Sequence, residues 1–114
     1  MLKIHTLNEL RTRLTANPST VLLEALPEKH HQDWHLPGAV HMPHDAVGEL
    51  ATTLIPDKTS EVVVYCASKT CQNSHTAAKL LTQLGYINVA VYAGGKQEWR
   101  DAGLAHPARL IQGS

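Results

Sequence analysis

The stretch Glu61-Val62-Val63-Val64-Tyr65-Cys66 constrains this chain more than any other. Three consecutive β-branched residues favour an extended backbone. A run with no polar alternation leaves no side for water, so it belongs to a strand covered on both faces, as in a parallel sheet. Thr20-Val21-Leu22-Leu23-Glu24-Ala25-Leu26 has the same nearly continuous apolar character, broken by one acid, Glu24. Ala39-Val40-His41-Met42 and Asn88-Val89-Ala90-Val91-Tyr92 are shorter strand candidates.

Helical patterns alternate with these runs. Thr6-Leu7-Asn8-Glu9 reads as a capping box, in which a Thr N-cap and a Glu three residues on satisfy each other's backbone donors, and predicts a helix from about Leu7 to Ala16. Pro27 suits the first position of a short helix reaching about Trp34, and Pro37-Gly38 marks a turn. Ala46 to Leu54 carries Val47, Leu50 and Leu54 on one face. A longer helix opens at Ser74, presents Leu80, Leu81 and Leu84, and should end on Gly85 as a left-handed cap. Gly94-Gly95 leads into a last helix from about Lys96 to Ala102, stopped by Gly103, and Pro107 opens a tail. Alternation of this kind predicts an α/β domain with a central, mostly parallel sheet of about five strands flanked by helices on both faces. Sites in such folds lie outside the carboxyl ends of the strands.

A chain of 114 residues is expected to form one domain, spanning 1–114, with a single core. Lys plus Arg and Asp plus Glu number ten each, so no net field draws the protein to nucleic acid or to a membrane surface. Any anion must be bound locally. Met1-Leu2-Lys3-Ile4-His5 lacks the apolar core of a signal peptide, and no run approaches membrane-spanning length, so the expected location is the cytoplasm. In that reducing compartment the only two cysteines, Cys66 and Cys71, are better explained by chemistry than by a permanent bridge.

Cys66 closes the valine strand, the backbone turns through Ala67 to Asn73, and a helix begins. The thiol is thus expected to face a helix N-terminus, whose unpaired N–H groups and positive dipole end favour a thiolate, a persulfide or a bound oxyanion.

Two ordered stretches resemble the rhodanese family of single-domain sulfurtransferases. The first runs from Val21-Leu22-Leu23-Glu24 through His35-Leu36-Pro37-Gly38-Ala39-Val40-His41-Met42-Pro43. It is similar to the family's strand ending in an acid, followed after a short helix by a His-Ile-Pro-Gly-Ala-like turn. The second runs from Tyr65-Cys66 through Ser74-His75-Thr76-Ala77-Ala78 to Leu84-Gly85-Tyr86, Gly94-Gly95 and Trp99-Arg100-Asp101-Ala102-Gly103-Leu104. It resembles the active-site strand, loop and helix and the last crossover. The resemblance implies Cys66 as nucleophile. It would take a sulfane sulfur from a small donor such as thiosulfate or a persulfide, and pass it to a thiol, a protein acceptor or cyanide, with no metal and no cofactor. Ala67, Ser68, Lys69, Thr70, Cys71, Gln72, Asn73 and Ser74 then form the anion-binding loop, and Glu24 and His35 give structural support.

The chain departs from the family pattern in three ways. No Arg lies between Cys66 and Ser74, where rhodaneses commonly carry one; the loop is about two residues longer; and Leu26 stands where an Arg is common. Lys69 is the loop's only fixed cation, and an ammonium lacks the bidentate fork of a guanidinium, so weak thiosulfate activity is expected. Longer loops also occur in the related dual-specificity phosphatases and some arsenate reductases. Phosphoryl transfer, however, leans on Arg, which this loop lacks. Cys71 is the distinctive addition: a resolving thiol for a persulfide or sulfenic acid on Cys66, a sulfur relay, or a spectator.

His30, His31, His35, His41 and His44 crowd one third of the chain, but their spacing matches no zinc pattern. His35 is read as the turn histidine, held by hydrogen bonds, and the others as solvated surface. Glu24 is expected to bond to backbone or a nearby loop rather than act as an acid, His75 to stay neutral and exposed, and Trp99 to anchor the core. The leading reading is a sulfurtransferase. The alternatives are a Cys66/Cys71 dithiol redox switch that reports to a partner, and a non-catalytic interaction module on the same fold.

Overall fold

The computed structural model describes residues 2–104. The elements run in chain order as β1 (Lys3–His5), α1 (Leu7–Ala16), β2 (Val21–Glu24), α2 (Glu28–Asp33), β3 (Val40–His41), α3 (Val47–Leu54), β4 (Val62–Tyr65), α4 (Asn73–Gln83), β5 (Val89–Tyr92) and α5 (Gly95–Asp101). The strands form one sheet in the order β1-β5-β4-β2-β3, and every neighbouring pair is parallel. β4 lies at the centre with all four residues buried, as its unbroken valines require.

Alternate residues of the central strands feed two cores. Leu23, Val62, Val64, Val89 and Val91 face Val47 and Ala51 of α3 and Ala77, Ala78 and Leu81 of α4. Leu22, Val63, Tyr65 and Tyr92 face Leu10 of α1, Trp34, Leu36 and Trp99 of α5. Helices therefore cover both faces, and Trp99 is the core anchor expected of it.

The Thr6/Glu9 capping box is present in both directions, with Glu9 N–H to Thr6 Oγ1 at 3.1 Å and Thr6 N–H to Glu9 Oε1 at 2.8 Å. Gly85, at φ +99°, ends α4 in a Schellman arrangement: its N–H reaches the Thr82 carbonyl and that of Tyr86 reaches Leu81, both at 3.1 Å.

The structure corrects several boundaries. β2 ends at Glu24, the acid at which the resemblance ends this strand, and covers only part of the apolar run Thr20 to Leu26. β3 is two residues long rather than four. α4 begins at Asn73, one residue before Ser74, and α5 at Gly95. β1 is an edge strand with no distinct sequence signal, since Ile4 is half exposed and only three residues pair. The expected tail at Pro107 lies outside the described residues.

Candidate active site

β4 delivers Cys66 to the carboxyl edge of the sheet, and the neighbouring crossover holds it there. The first turn of α5 donates two backbone N–H groups back to the strand end, Lys96 to the Cys66 carbonyl at 3.0 Å and Gln97 to the Ala67 carbonyl at 2.9 Å. This close approach explains the paired glycines. Gly95 has φ +65°, and a Cβ there would collide with the Cys66 carbonyl and the Ala67–Ser68 peptide; a Cβ on Gly94 would collide with the Glu98 side chain.

The loop then curls over the sulfur. The Cys71 N–H bonds to the Ser68 carbonyl at 3.1 Å, which folds Ser68 to Cys71 into a turn. The Cys71 carbonyl lies 3.3 Å from Cys66 Sγ, and the Ser74 hydroxyl lies 3.4 Å away on the other side. Cys66 is only 2% exposed, whereas Cys71 is half-buried, and both are free thiols. Ala67, Lys69, Thr70 and Gln72 are exposed, Ser68 and Asn73 half-buried, and Ser74 buried. Ser68 and Thr70 join their hydroxyls at 3.2 Å.

Electrostatics at the sulfur differ from the sequence expectation. Burial pushes the Cys66 thiol above its ordinary range, and the adjacent Cys71 thiol adds to the shift; the Ser74 hydroxyl and backbone N–H at the start of α4 pull the other way without winning. The helix N-terminus thus moderates desolvation rather than yielding a resting thiolate. His75 is half-buried in the first turn of α4, not exposed as expected.

Beneath the loop lies a network that the sequence only partly foretold. Glu24 is fully buried, and its carboxylate bonds to side chains rather than to backbone or a loop. It accepts from Tyr65 Oη at 2.9 Å, faces His31 Nδ1 at 3.1 Å, and pairs with Lys96 Nζ at 3.0 Å. Lys96 Nζ also donates to the His30 carbonyl at 2.6 Å and stands 5.1 Å from the centre of the Trp34 ring. Tyr65 in turn accepts the Leu36 N–H at 3.1 Å, and burial with the Glu24 charge raises its hydroxyl far above the usual range. Lys96 was missed at the sequence level. The available signal was Glu24 itself, since an acid inside an apolar strand requires a buried cation.

His35 is held by a hydrogen bond between Nδ1 and the His31 carbonyl at 2.9 Å, as a turn histidine should be. His31 and His41 are not solvated surface. The His31 ring stacks on His35 at 3.9 Å and on His41 at 5.0 Å, while His41 Nε2 bonds to the Leu26 carbonyl at 2.6 Å. Among the described residues no three His, Cys, Asp or Glu side chains converge as metal ligands.

Two clefts flank the loop. One, of about 460 Å³, is lined by Ser68, Lys69 and Thr70 on the loop side and by Gln97, Glu98 and Asp101 on the α5 side. The other, of about 270 Å³, brings Arg100 and Lys96 beside Ala67 and Ser68. A guanidinium thus reaches the flank of a loop that contains none. Among the described residues no helix is long and apolar enough to cross a membrane.

Several known proteins are similar to this chain. The chain is 36% identical over 73 residues to the thiosulfate sulfurtransferase PspE of Escherichia coli, covering 64% of this chain and 66% of that protein. It is 31% identical to a putative mitochondrial thiosulfate sulfurtransferase of Schizosaccharomyces pombe, covering 81% of this chain and 71% of the relative. It spans far less, 19%, of a Candida albicans adenylyltransferase and sulfurtransferase. The structure of a human single-domain sulfurtransferase, TSTD1, superposes with a TM-score of 0.75 at 24% identity, over 89% of this chain and 97% of that one. The profile of the Rhodanese-like domain matches residues 6–102, and the chain belongs to that family.

Proposed function

We propose that the protein is a sulfurtransferase that carries sulfane sulfur as a persulfide on Cys66. The observation that carries this reading is the setting of Cys66 Sγ: a buried strand-end sulfur beneath a closed loop, flanked by the Ser74 hydroxyl and N–H at the N-terminus of α4. Such a setting stabilises an anionic terminal sulfur by fixed dipoles, much as an oxyanion hole stabilises developing charge. The sulfurtransferase names borne by the E. coli and S. pombe relatives support the same reaction class.

In the first half-reaction the Cys66 thiolate attacks the outer sulfur of a donor such as thiosulfate, forming the Cys66 Sγ–S bond and expelling sulfite. In the second, a thiol or protein acceptor removes that sulfur. Thiosulfate is a poor donor in this reading, because Lys69 is exposed and the nearby guanidinium, that of Arg100, lies at the loop's flank rather than within it.

Intact mass after incubation with thiosulfate or an organic persulfide tests the proposal. With the persulfide donor Cys71→Ser, in which Cys66 is the thiol left to load, gains one sulfur atom, and Cys66→Ala gains none. Equal labelling of Cys66→Ala would overturn it.

A further inference from the structure

The active-site loop carries a second thiol on the same turn that covers the first. The Cys71 carbonyl touches Cys66 Sγ at 3.3 Å. Bond lengths along the backbone then place the Cys71 Cα within about 6 Å of that sulfur. The turn closed by the Cys71 N–H on the Ser68 carbonyl fixes this approach. Cys66 is buried and Cys71 half-buried, and both are free thiols.

Building on the Cys66 persulfide reading, we propose that Cys71 discharges that persulfide within the loop, so that the protein releases its sulfur as hydrosulfide and is left with a Cys66–Cys71 disulfide. The Cys71 thiolate attacks Cys66 Sγ, the Sγ–Sγ bond forms, and the bond from Cys66 Sγ to the terminal sulfur breaks. The terminal sulfur leaves with the electron pair and a proton as HS⁻. One sulfane sulfur is reduced to sulfide, and the two cysteine sulfurs are each oxidised by one electron. A dithiol reductant of the thioredoxin chemical class then restores both thiols by exchange and completes the cycle.

Two features direct the attack to Cys66 Sγ rather than to the terminal sulfur. The first is position, since the Cys71 carbonyl already touches Cys66 Sγ at 3.3 Å, which brings residue 71 to that sulfur. The second is the leaving group. Transfer of the terminal sulfur to Cys71 would expel the Cys66 thiolate, which burial makes a strong base, whereas resolution expels hydrosulfide, the conjugate base of a stronger acid.

Wild type, Cys71→Ser and Cys71→Ala are loaded with a small excess of an organic persulfide, with no reductant present. Released sulfide and intact mass are then followed together. The expected result is one equivalent of sulfide and a loss of two hydrogens in the wild type, with both variants keeping one added sulfur and releasing no sulfide. Thermal unfolding of the variants, expected to stay close to wild type for a half-buried loop residue, confirms that they are folded. A wild type that keeps its added sulfur overturns the resolving role and leaves the Cys66 persulfide standing. Added sulfur mapped to Cys71 by peptide fragmentation overturns it in favour of a relay. If neither Cys71 variant acquires sulfur, the persulfide reading itself falls and the resolving step with it.

Discussion

At the scale of single residues the site turns on opposing effects at one sulfur. Burial pushes the Cys66 thiol to a higher pKa, and the Ser74 hydroxyl and N–H are the groups that oppose it. Ser74→Ala removes the hydroxyl and leaves the N–H, so the thiol becomes a still weaker acid. The pH profile of Cys66 alkylation by iodoacetamide, recorded in Cys71→Ser so that one thiol reports, should move to higher pH in the Ser74→Ala double variant. An unchanged profile would mean that the N–H alone sets the thiol's acidity. Sequence reading placed Cys66 at a strand end, where the structure has it, but expected the opposite sign for its shift. A strand end followed by a helix start is legible in one dimension. Whether the sulfur is sunk beneath the loop or exposed at the helix dipole is decided by the Ser68–Cys71 turn, which no short-range pattern encodes.

At the scale of elements, α5 works as a clamp on the end of β4. Its first-turn N–H groups meet the Cys66 and Ala67 carbonyls only because Gly95 has no Cβ and adopts φ +65°. Gly95→Ala combines backbone strain with a direct collision and should cost about 3 kcal/mol in urea unfolding. Persulfide loading should fall with it even under conditions where the variant remains folded, since the collision falls on the Cys66 carbonyl. Full loading in a folded Gly95→Ala protein would show that the clamp is not needed for chemistry. Elements with strong local signals were legible in advance: the capping box of α1, the valines of β4 and the Gly85 cap of α4 each have a physical cause within a few residues. β1 was not, because an edge strand of three residues draws its pairing from β5, some 87 positions away in the register Lys3↔Ala90. The Glu24–Lys96 pair shows the same limit. Each partner was visible, but their meeting depends on the β2-β4-β5 order and the placement of α5.

At the scale of the whole molecule, Glu24, Tyr65, His31 and Lys96 tie β2, β4, α2 and α5 into one buried polar network under the active-site loop. Lys96→Met strands the Glu24 charge without its cation and should cost about 3–5 kcal/mol, while adding Glu24→Gln should recover part of that loss because the uncompensated charge is then gone. The same network gives folding a pH dependence of defined sign. Burial lowers the His31 pKa below its ordinary value near 6.5; the nearby His35 and His41 rings add to the shift, and Glu24 opposes it without reversing it. The unfolded chain therefore binds the His31 proton more tightly than the folded one. The stability that His31 contributes is fully present above about pH 6.5 and is lost as pH falls toward the lowered folded value. Carboxylates act in a separate, lower window. Glu61, held down to about 2 by its 2.7 Å pairing with Arg13, contributes stability that is lost only as pH falls below its unfolded value near 4.5. Urea unfolding between pH 7.5 and 5 thus isolates the imidazole. Stability should decline across that range in the wild type and decline less steeply in His31→Gln, which keeps a hydrogen-bonding side chain toward Glu24 but cannot take up the proton. Equal slopes in the two proteins would place the acid sensitivity on other groups and remove His31 from the network's titration.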